Sequence, residues 1–335
     1  MTSQHTGAKS RRRGTRDGEA PHDFVGTHVS IAGGVELAPH RGRLLGCSAI
    51  QIFTKSNRQW SGPGISDASA RLFCEAVKEC RIDAAFAHST YLINLAAVDR
   101  GYAEKSMRAL ADEIERCELL GLPGIVLHPG MHMGAGEQAG IAAIAKNLRE
   151  VLRRTGGCRA AVFLENVAGQ GTALGRTFEE LAVMRDRAEG GARVAFCFDT
   201  CHALAAGYDI TTETGWRETM ERWDAAIGVE HIRAVHLNDS KRPRSSRVDR
   251  HEHIGRGHVG LAGFRALLRD ARFARVPKVL ETPKRDDGFE DRANLSVLRE
   301  LIGGASGGLK RPRWKIPREV DSQWARRLKR PLGPD

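Results

Sequence analysis

The feature that most restricts this chain is an eightfold alternation along its length. Short runs rich in β-branched and aromatic residues are each followed by a stretch of helical period. The runs are Phe24–Ile31, Ser48–Phe53, Asp83–Ala87, Gly124–Leu127, Ala160–Leu164, Arg193–Phe198, Ile232–Leu237 and Pro277–Leu280. Helical stretches lie between them, as at Asp67–Cys80, Glu104–Leu120 and Ile141–Arg154, and a further one begins across Arg176–Arg187. Strands joined through helices pair in parallel, because the helix returns the chain to the same end of the sheet. Eight such units predict a single α/β domain, a closed (β/α)8 TIM barrel rather than an open doubly wound sheet. No G-x-G-x-x-G follows the first strand, which takes support from a dinucleotide fold.

Composition bears on the ends and on the setting. Of 335 residues, 41% are apolar, enough for a large core. No apolar run reaches the ~18 residues of a membrane span, and the first residues lack the apolar stretch of a secretory signal. Seven cysteines occur without a C-x-x-C pair, so reduced, intracellular thiols are expected, and the Arg/Ala/Gly-rich usage suggests a bacterial cytoplasmic protein. The net charge of +11 is concentrated at the termini. Residues 1–23 are basic and aperiodic and read as a disordered extension. The Gly/Ser-rich stretch Gly303–Gly308 closes a barrel domain at 24–303, and residues 304–335 form a second basic extension with Trp314 and Trp324. These extensions read either as added electrostatic attachment to a polyanionic partner, or as solvated tails or a strand packed on the barrel. A monomer is expected.

The strand ends carry the chemistry. The third run leads through Phe86-Ala87 into His88 and the fourth leads into His128. The fifth leads into Glu165, the sixth into Asp199 with His202 close behind, the seventh holds His236, and the eighth leads into Glu281. In a barrel these carboxyl ends meet on one face. Carboxylates gathered there repel one another unless protons or a cation intervene. Mixed nitrogen and oxygen ligation suits zinc, with manganese or iron as alternatives. Cys197 and Cys201 flank the sixth strand end, but better ligands surround them. A D-x-H pair, Asp249 and His251, follows the seventh strand and with His202 would complete a third site. The nine candidate ligands are thus His88, His128, Glu165, Asp199, His202, His236, Asp249, His251 and Glu281, more than one ion can use. Several cations outweighing four carboxylates would favour a phosphate substrate. Histidines 5, 22, 40, 132, 231, 253 and 258 lack that strand-end placement and read as surface or supporting groups, with His253 placed to orient the D-x-H loop.

Several blocks in order make the chain resemble the endonuclease IV family of apurinic/apyrimidinic endonucleases. They are His28-Val29-Ser30 with Gly33-Gly34, Phe53-Thr54-Lys55 through Arg58-Gln59-Trp60, and Tyr91 through Leu95. Leu164-Glu165-Asn166 with Ala168 through Gly171, Phe198 through Ala203, and Val248 through His251 complete the set. The resemblance implies three zinc ions per chain: His88 and His128 on the first, Asp199, His236 and Glu281 on the second, and Glu165 bridging them. His202, Asp249 and His251 would hold the third. It further implies that a metal-bridging hydroxide attacks the phosphorus 5′ to an abasic site in double-stranded DNA, with Glu165 catalytic. The products would be a 3′-hydroxyl and a 5′-deoxyribose phosphate, and cleaning of blocked 3′ ends is a plausible second activity. Arg58 matches a residue that enters the DNA stack, and Tyr91 and Leu92 match residues that probe the minor groove. Ser89 stands where many relatives carry Asp, Ser56-Asn57 replaces a common Asn-Gln, and a glycine usual before Ser246 is lacking. Two rivals remain at this level: a two-metal sugar isomerase or epimerase on the same barrel, and a zinc-stabilised DNA-binding protein that does not cleave.

Overall fold

The computed structural model describes residues 23–285 and 288–303. Eight parallel strands close into a barrel: β1 Val25–His28, β2 Ala49–Phe53, β3 Ala84–His88 and β4 Gly124–Leu127, then β5 Ala161–Glu165, β6 Val194–Asp199, β7 Ile232–His236 and β8 Lys278–Leu280. Each strand neighbours the next in sequence, and β8 pairs with β1 to close the ring. The sequence-based runs find all eight. They overrun at β1, where pairing ends at His28 and the chain turns toward a helix, and stop short at β5 and β6, whose last paired residues are Glu165 and Asp199. A polar residue at a strand end reads as loop in a sequence, yet its backbone still joins the ladder.

Around the barrel run α1 Leu37–Leu45, α2 Asp67–Glu79, α3 Arg100–Leu119, α4 Glu137–Arg154 and α5 Phe178–Ala188. The short α6 Thr200–Ala206 follows, then α7 Glu213–Ala226, α8 Gly260–Arg269 and α9 Phe289–Gly303. Their starts follow from capping chemistry. Ser66, Asp99, Thr177 and Thr212 each accept a backbone N–H three residues on, which satisfies a donor the helix leaves open. The Asp99 cap starts α3 at Arg100, ahead of the Glu104 expected from periodicity.

Side chains alternate inward and outward along each strand. Inward, Ala49, Phe86, Val126, Phe163, Cys197, Ala234 and Val279 form a packed plug, separate from the larger apolar layer between strands and helices. Two residues further along the same strands lie Gln51, His88, His128, Glu165, Asp199, His236 and Glu281. The alternation therefore sets apolar filling below and polar groups at the carboxyl-end mouth. A bulge helps between β6 and β7: the register slips between Phe196 and Cys197, which puts His236 opposite Asp199. Among the described residues no helix is long and apolar enough to cross a membrane.

Of the expected extensions only Asp23 is described. It accepts from Ser48 Oγ at 2.6 Å and from Arg299 Nε at 2.7 Å, which ties the chain to the barrel floor. The rest, with Trp314 and Trp324, lies outside the described residues.

Candidate metal centre

All nine ligand candidates converge at the barrel mouth. Ligand atoms of His88, His128 and Glu165 lie within 4.8 Å of one another, as do those of Glu165, Asp199, His236 and Glu281. His202, Asp249 and His251 form a third such group. Glu165 is fully buried and joins the first two groups. Its Oε2 faces His128 Nε2 at 3.0 Å and His88 Nε2 at 3.4 Å, and its Oε1 faces His236 Nδ1 at 2.9 Å and His202 Nδ1 at 3.2 Å.

The imidazoles are aimed by what binds their other nitrogen. His88 Nδ1 donates to the Ser89 carbonyl at 2.8 Å, and His251 Nδ1 donates to the Glu281 carbonyl at 3.1 Å. His202 Nδ1 donates to the Asn166 carbonyl at 2.9 Å, and His236 Nε2 donates to Gln51 Oε1 at 2.8 Å. Each partner is an acceptor, so each ring spends its N–H outward and keeps a lone pair facing the carboxylates. His202 Nε2 then meets Asp249 Oδ2 at 3.3 Å and His251 Nε2 meets Asp249 Oδ1 at 3.2 Å. Lone pairs pointed at carboxylate oxygens call for a proton or a cation between them. Three buried atoms here make no hydrogen bond: His88 Nε2, Glu165 Oε2 and His251 Nε2. A divalent metal with nitrogen and oxygen preference fits this donor set.

The electrostatics agree. Burial alone would raise the Glu165 pKa, yet the His236 and His128 rings hold it well below the usual carboxylate range. Burial opposes charging of His251, but the Asp249 carboxylate raises it to about 9. The site thus draws positive charge toward its centre. Cys201 lies close to Asp199 and His251, but its thiol is pushed up to about 12 by burial and turned to the Arg250 carbonyl. Cys197 belongs to the plug beneath.

The rim carries the other sequence candidates. Arg58 is exposed on the loop after β2, and Tyr91 is 57% exposed on the loop after β3, with Leu92 partly covered beside it. The Tyr91 ring sits 5.3 Å from His88 and 5.8 Å from His128. A cleft runs from Tyr91 and Met131 past Gln170 to Asp249 and Arg250, with His88, His128 and His202 at its base.

A family model described as a Xylose isomerase-like TIM barrel matches residues 41–301. A probable endonuclease 4 from Geobacter sulfurreducens is 47% identical over 281 residues, which span 84% of this chain and 95% of that protein. The chain belongs to the endonuclease IV family. The probable endonuclease 4 of Chloroflexus aurantiacus is 45% identical across 84% of this chain and 98% of its own length. The crystal structure of endonuclease IV from Thermus thermophilus superposes with a TM-score of 0.74 at 35% identity, covering 83% of this chain and 98% of that one. A D-tagatose 3-epimerase-like protein superposes at 0.62 with 17% identity, a likeness of fold alone.

Within this endonuclease IV framework the structure gives work to residues that sequence reasoning left without a role. Gln51 donates to Glu281 Oε1 at 2.6 Å and to His28 Nδ1 at 2.9 Å while accepting from His236. His28 is held neutral, its pKa lowered to about 3 by burial. Asn238 donates to Asp199 Oδ2 at 2.7 Å and accepts from the Glu281 amide. Asn166 accepts from the Asp199 amide at 2.8 Å. Asp199 also caps α6, accepting from the His202 amide at 2.7 Å, so one turn of helix fixes both ligands. The signal available was period two: Gln51 and His28 lie on inward positions of their strands.

Proposed function

We propose that this chain is a zinc-dependent DNA-repair endonuclease that hydrolyses the phosphodiester on the 5′ side of an abasic site. The products in this reading are a 3′-hydroxyl and a 5′-deoxyribose phosphate. The observation that carries it is the set of three adjoining nitrogen and oxygen donor groups at the barrel mouth, in a chain with relatives named as endonuclease 4. His88 and His128 would hold one zinc, Asp199, His236 and Glu281 a second, with Glu165 shared, and His202, Asp249 and His251 a third. When bound, the ions supply Lewis acidity, lowering the pKa of water and drawing negative charge from phosphate oxygens.

The chain's own residues supply position. Gln51, Asn166 and Asn238 hold rings and carboxylates in orientation, so little reorganisation accompanies the reaction. Arg58 enters the base stack, and Tyr91 and Leu92 press on the minor groove beside the cleft. Extruding a nucleotide costs least where no base is paired, which favours an abasic substrate. All nine donors come from one chain, so a monomer suffices. A DNA substrate sets the protein beside the chromosome in the bacterial cytoplasm.

The test is a duplex oligonucleotide carrying one abasic site, incubated with zinc-replete protein and with protein stripped by a strong chelator. A single cut 5′ to the lesion, lost on stripping and restored by zinc, is expected. Intact substrate with the replete protein contradicts the proposal.

A further inference from the structure

The chain contains one G-x-G-x-x-G, far from the first strand, at Gly255-Arg256-Gly257-His258-Val259-Gly260. Such a segment curls its backbone N–H groups into a concave nest for an anion, commonly a phosphate at the helix start that follows. Here it does open a helix, since α8 begins at Gly260. Its nest is already filled. The Asp239 carboxylate accepts from Gly255 N at 2.9 Å and Gly257 N at 3.0 Å on Oδ2. On Oδ1 it accepts from Ser240 N and Val259 N, both at 2.8 Å, and from Gly260 N at 3.5 Å. Asp239 is fully buried. Burial pushes its pKa up, and the backbone N–H groups of Gly257, Ser240, Val259 and Gly260 pull it back. Backbone dipoles are what stabilise its charge.

The glycines are needed for this. Gly255 and Gly260 have φ of +76° and +71°, which turn their amides inward in the left-handed region. A Cβ on Gly257 would lie 2.3 Å from the Ser240 carbonyl and 2.5 Å from Asp239 Oδ1.

What the nest holds in place is the strand just before it. Asp239 and Ser240 pair antiparallel with His251 and Glu252, Ser240 opposite His251. The Lys241 amide donates to the Arg250 carbonyl at 2.9 Å, and the His258 amide returns to the Ser240 carbonyl at 2.8 Å. Asp239 thus grips the chain on the far side of His251, while the hairpin grips it on the near side at Arg250. Between them lies His251, and Asp249 sits one residue ahead of the Arg250 grip; with His202 these two form the third donor group. Asp249 is otherwise on an exposed loop, with its side chain 40% accessible.

We propose that Asp239 is the positioning residue of the third metal site. It acts as an internal anion in the G-x-G-x-x-G nest, clamps segment 251–260, and so holds Asp249 and His251 in register with His202. This rests on the three-ion reading above. It predicts an effect greatest at one ion, because the donors of the other two groups sit at barrel strand ends and only Asn238, next to Asp239, links the nest to them.

The experiment is elemental analysis of zinc per folded chain, before and after a timed chelator challenge. It is run on the full-length protein, on Asp239→Asn and on Gly257→Ala. Asn replaces one acceptor with an amide that faces N–H donors, and Ala crowds the same nest without altering charge. Circular dichroism and thermal melting identify folded material. Both variants are expected to lose one zinc selectively, with affinity for that ion weakened about 10–100-fold, while two remain bound as in the parent. If the parent itself does not hold three, the three-ion reading fails. If the parent holds three and a folded variant keeps all three at parental affinity, the role of Asp239 is overturned. Should Asp239→Asn not fold, Gly257→Ala alone decides. Proportional loss of all ions also overturns the proposal, since a general loosening of the barrel would produce it.

Discussion

At Glu165 the two carboxylate oxygens have different neighbours, His236 and His202 on one side and His128 and His88 on the other. Glutamine in its place keeps the shape but turns one side into an N–H donor that repels a cation. Glu165→Gln is therefore expected to lower cleavage of an abasic duplex by about a hundredfold or more, while a gel-shift assay shows DNA binding close to the parent. Near-native cleavage by the variant would remove Glu165 from its role. Six of the nine donors were readable as single residues because each sits at an inward position at or near a strand end, where chemistry is the usual reason for a His or a carboxylate. Their supports were not. Gln51, Asn166, Asn238 and Asp239 are ordinary polar residues in a sequence, and their work depends on partners up to 230 positions away, as between Gln51 and Glu281.

At the scale of elements, one face of α3 organises two loops at the rim of the mouth. The buried Lys55 ammonium pairs with Asp112 at 2.8 Å and Glu113 at 3.1 Å. Glu113 also accepts the Thr90 amide, Thr90 Oγ donates to the Asn57 carbonyl, and Arg116 donates to the Pro63 and Gly62 carbonyls. The loop bearing Arg58 and the loop bearing Tyr91 and Leu92 are thereby tied to one helix. Glu113→Gln is expected to weaken binding of an abasic duplex roughly tenfold by letting these loops shift, with zinc content unaltered. Equal affinity in a titration would contradict this coupling. The helix was legible from its apolar period, but its polar inner face was not, because Lys, Glu and Arg on a helix usually read as solvated.

The floor of β8 offers a pH test. Burial lowers the Lys278 pKa to about 8, below its ordinary 10.5. Below pH 8 the ammonium is charged in both states, and its burial opposes folding. Between pH 8 and 10.5 the unfolded chain holds the proton more tightly, so this residue's contribution becomes more favourable as pH rises. Lys278→Met should therefore melt higher than the parent at about pH 7, by on the order of 1–3 kcal/mol, with the gap narrowing by about pH 9.5. A gap that is constant across this range would contradict the assignment.

For the whole molecule, the eightfold alternation predicted the barrel, and the ring closes in the expected order. Closure is what brings Glu281 beside Gln51, at 2.6 Å, and beside His28, at 4.0 Å. Such meetings between the ends of the chain cannot be seen in local pattern. The third donor group was the least legible part, since Asp249 and His251 lie off the barrel strands and reach His202 only through the hairpin and nest of residues 239–260. Most of the +11 charge resides in the two extensions outside the described residues, leaving a near-neutral barrel whose attraction for phosphate would depend on its ions.

The proposed chemistry needs cations that join side chains from separate strands at one mouth. Anomalous X-ray diffraction at the zinc edge, on crystals of protein that cleaves abasic DNA, tests it most directly. Three peaks are predicted, one within each donor group, the first two sharing Glu165. Active protein with no anomalous density among these nine residues would contradict the account.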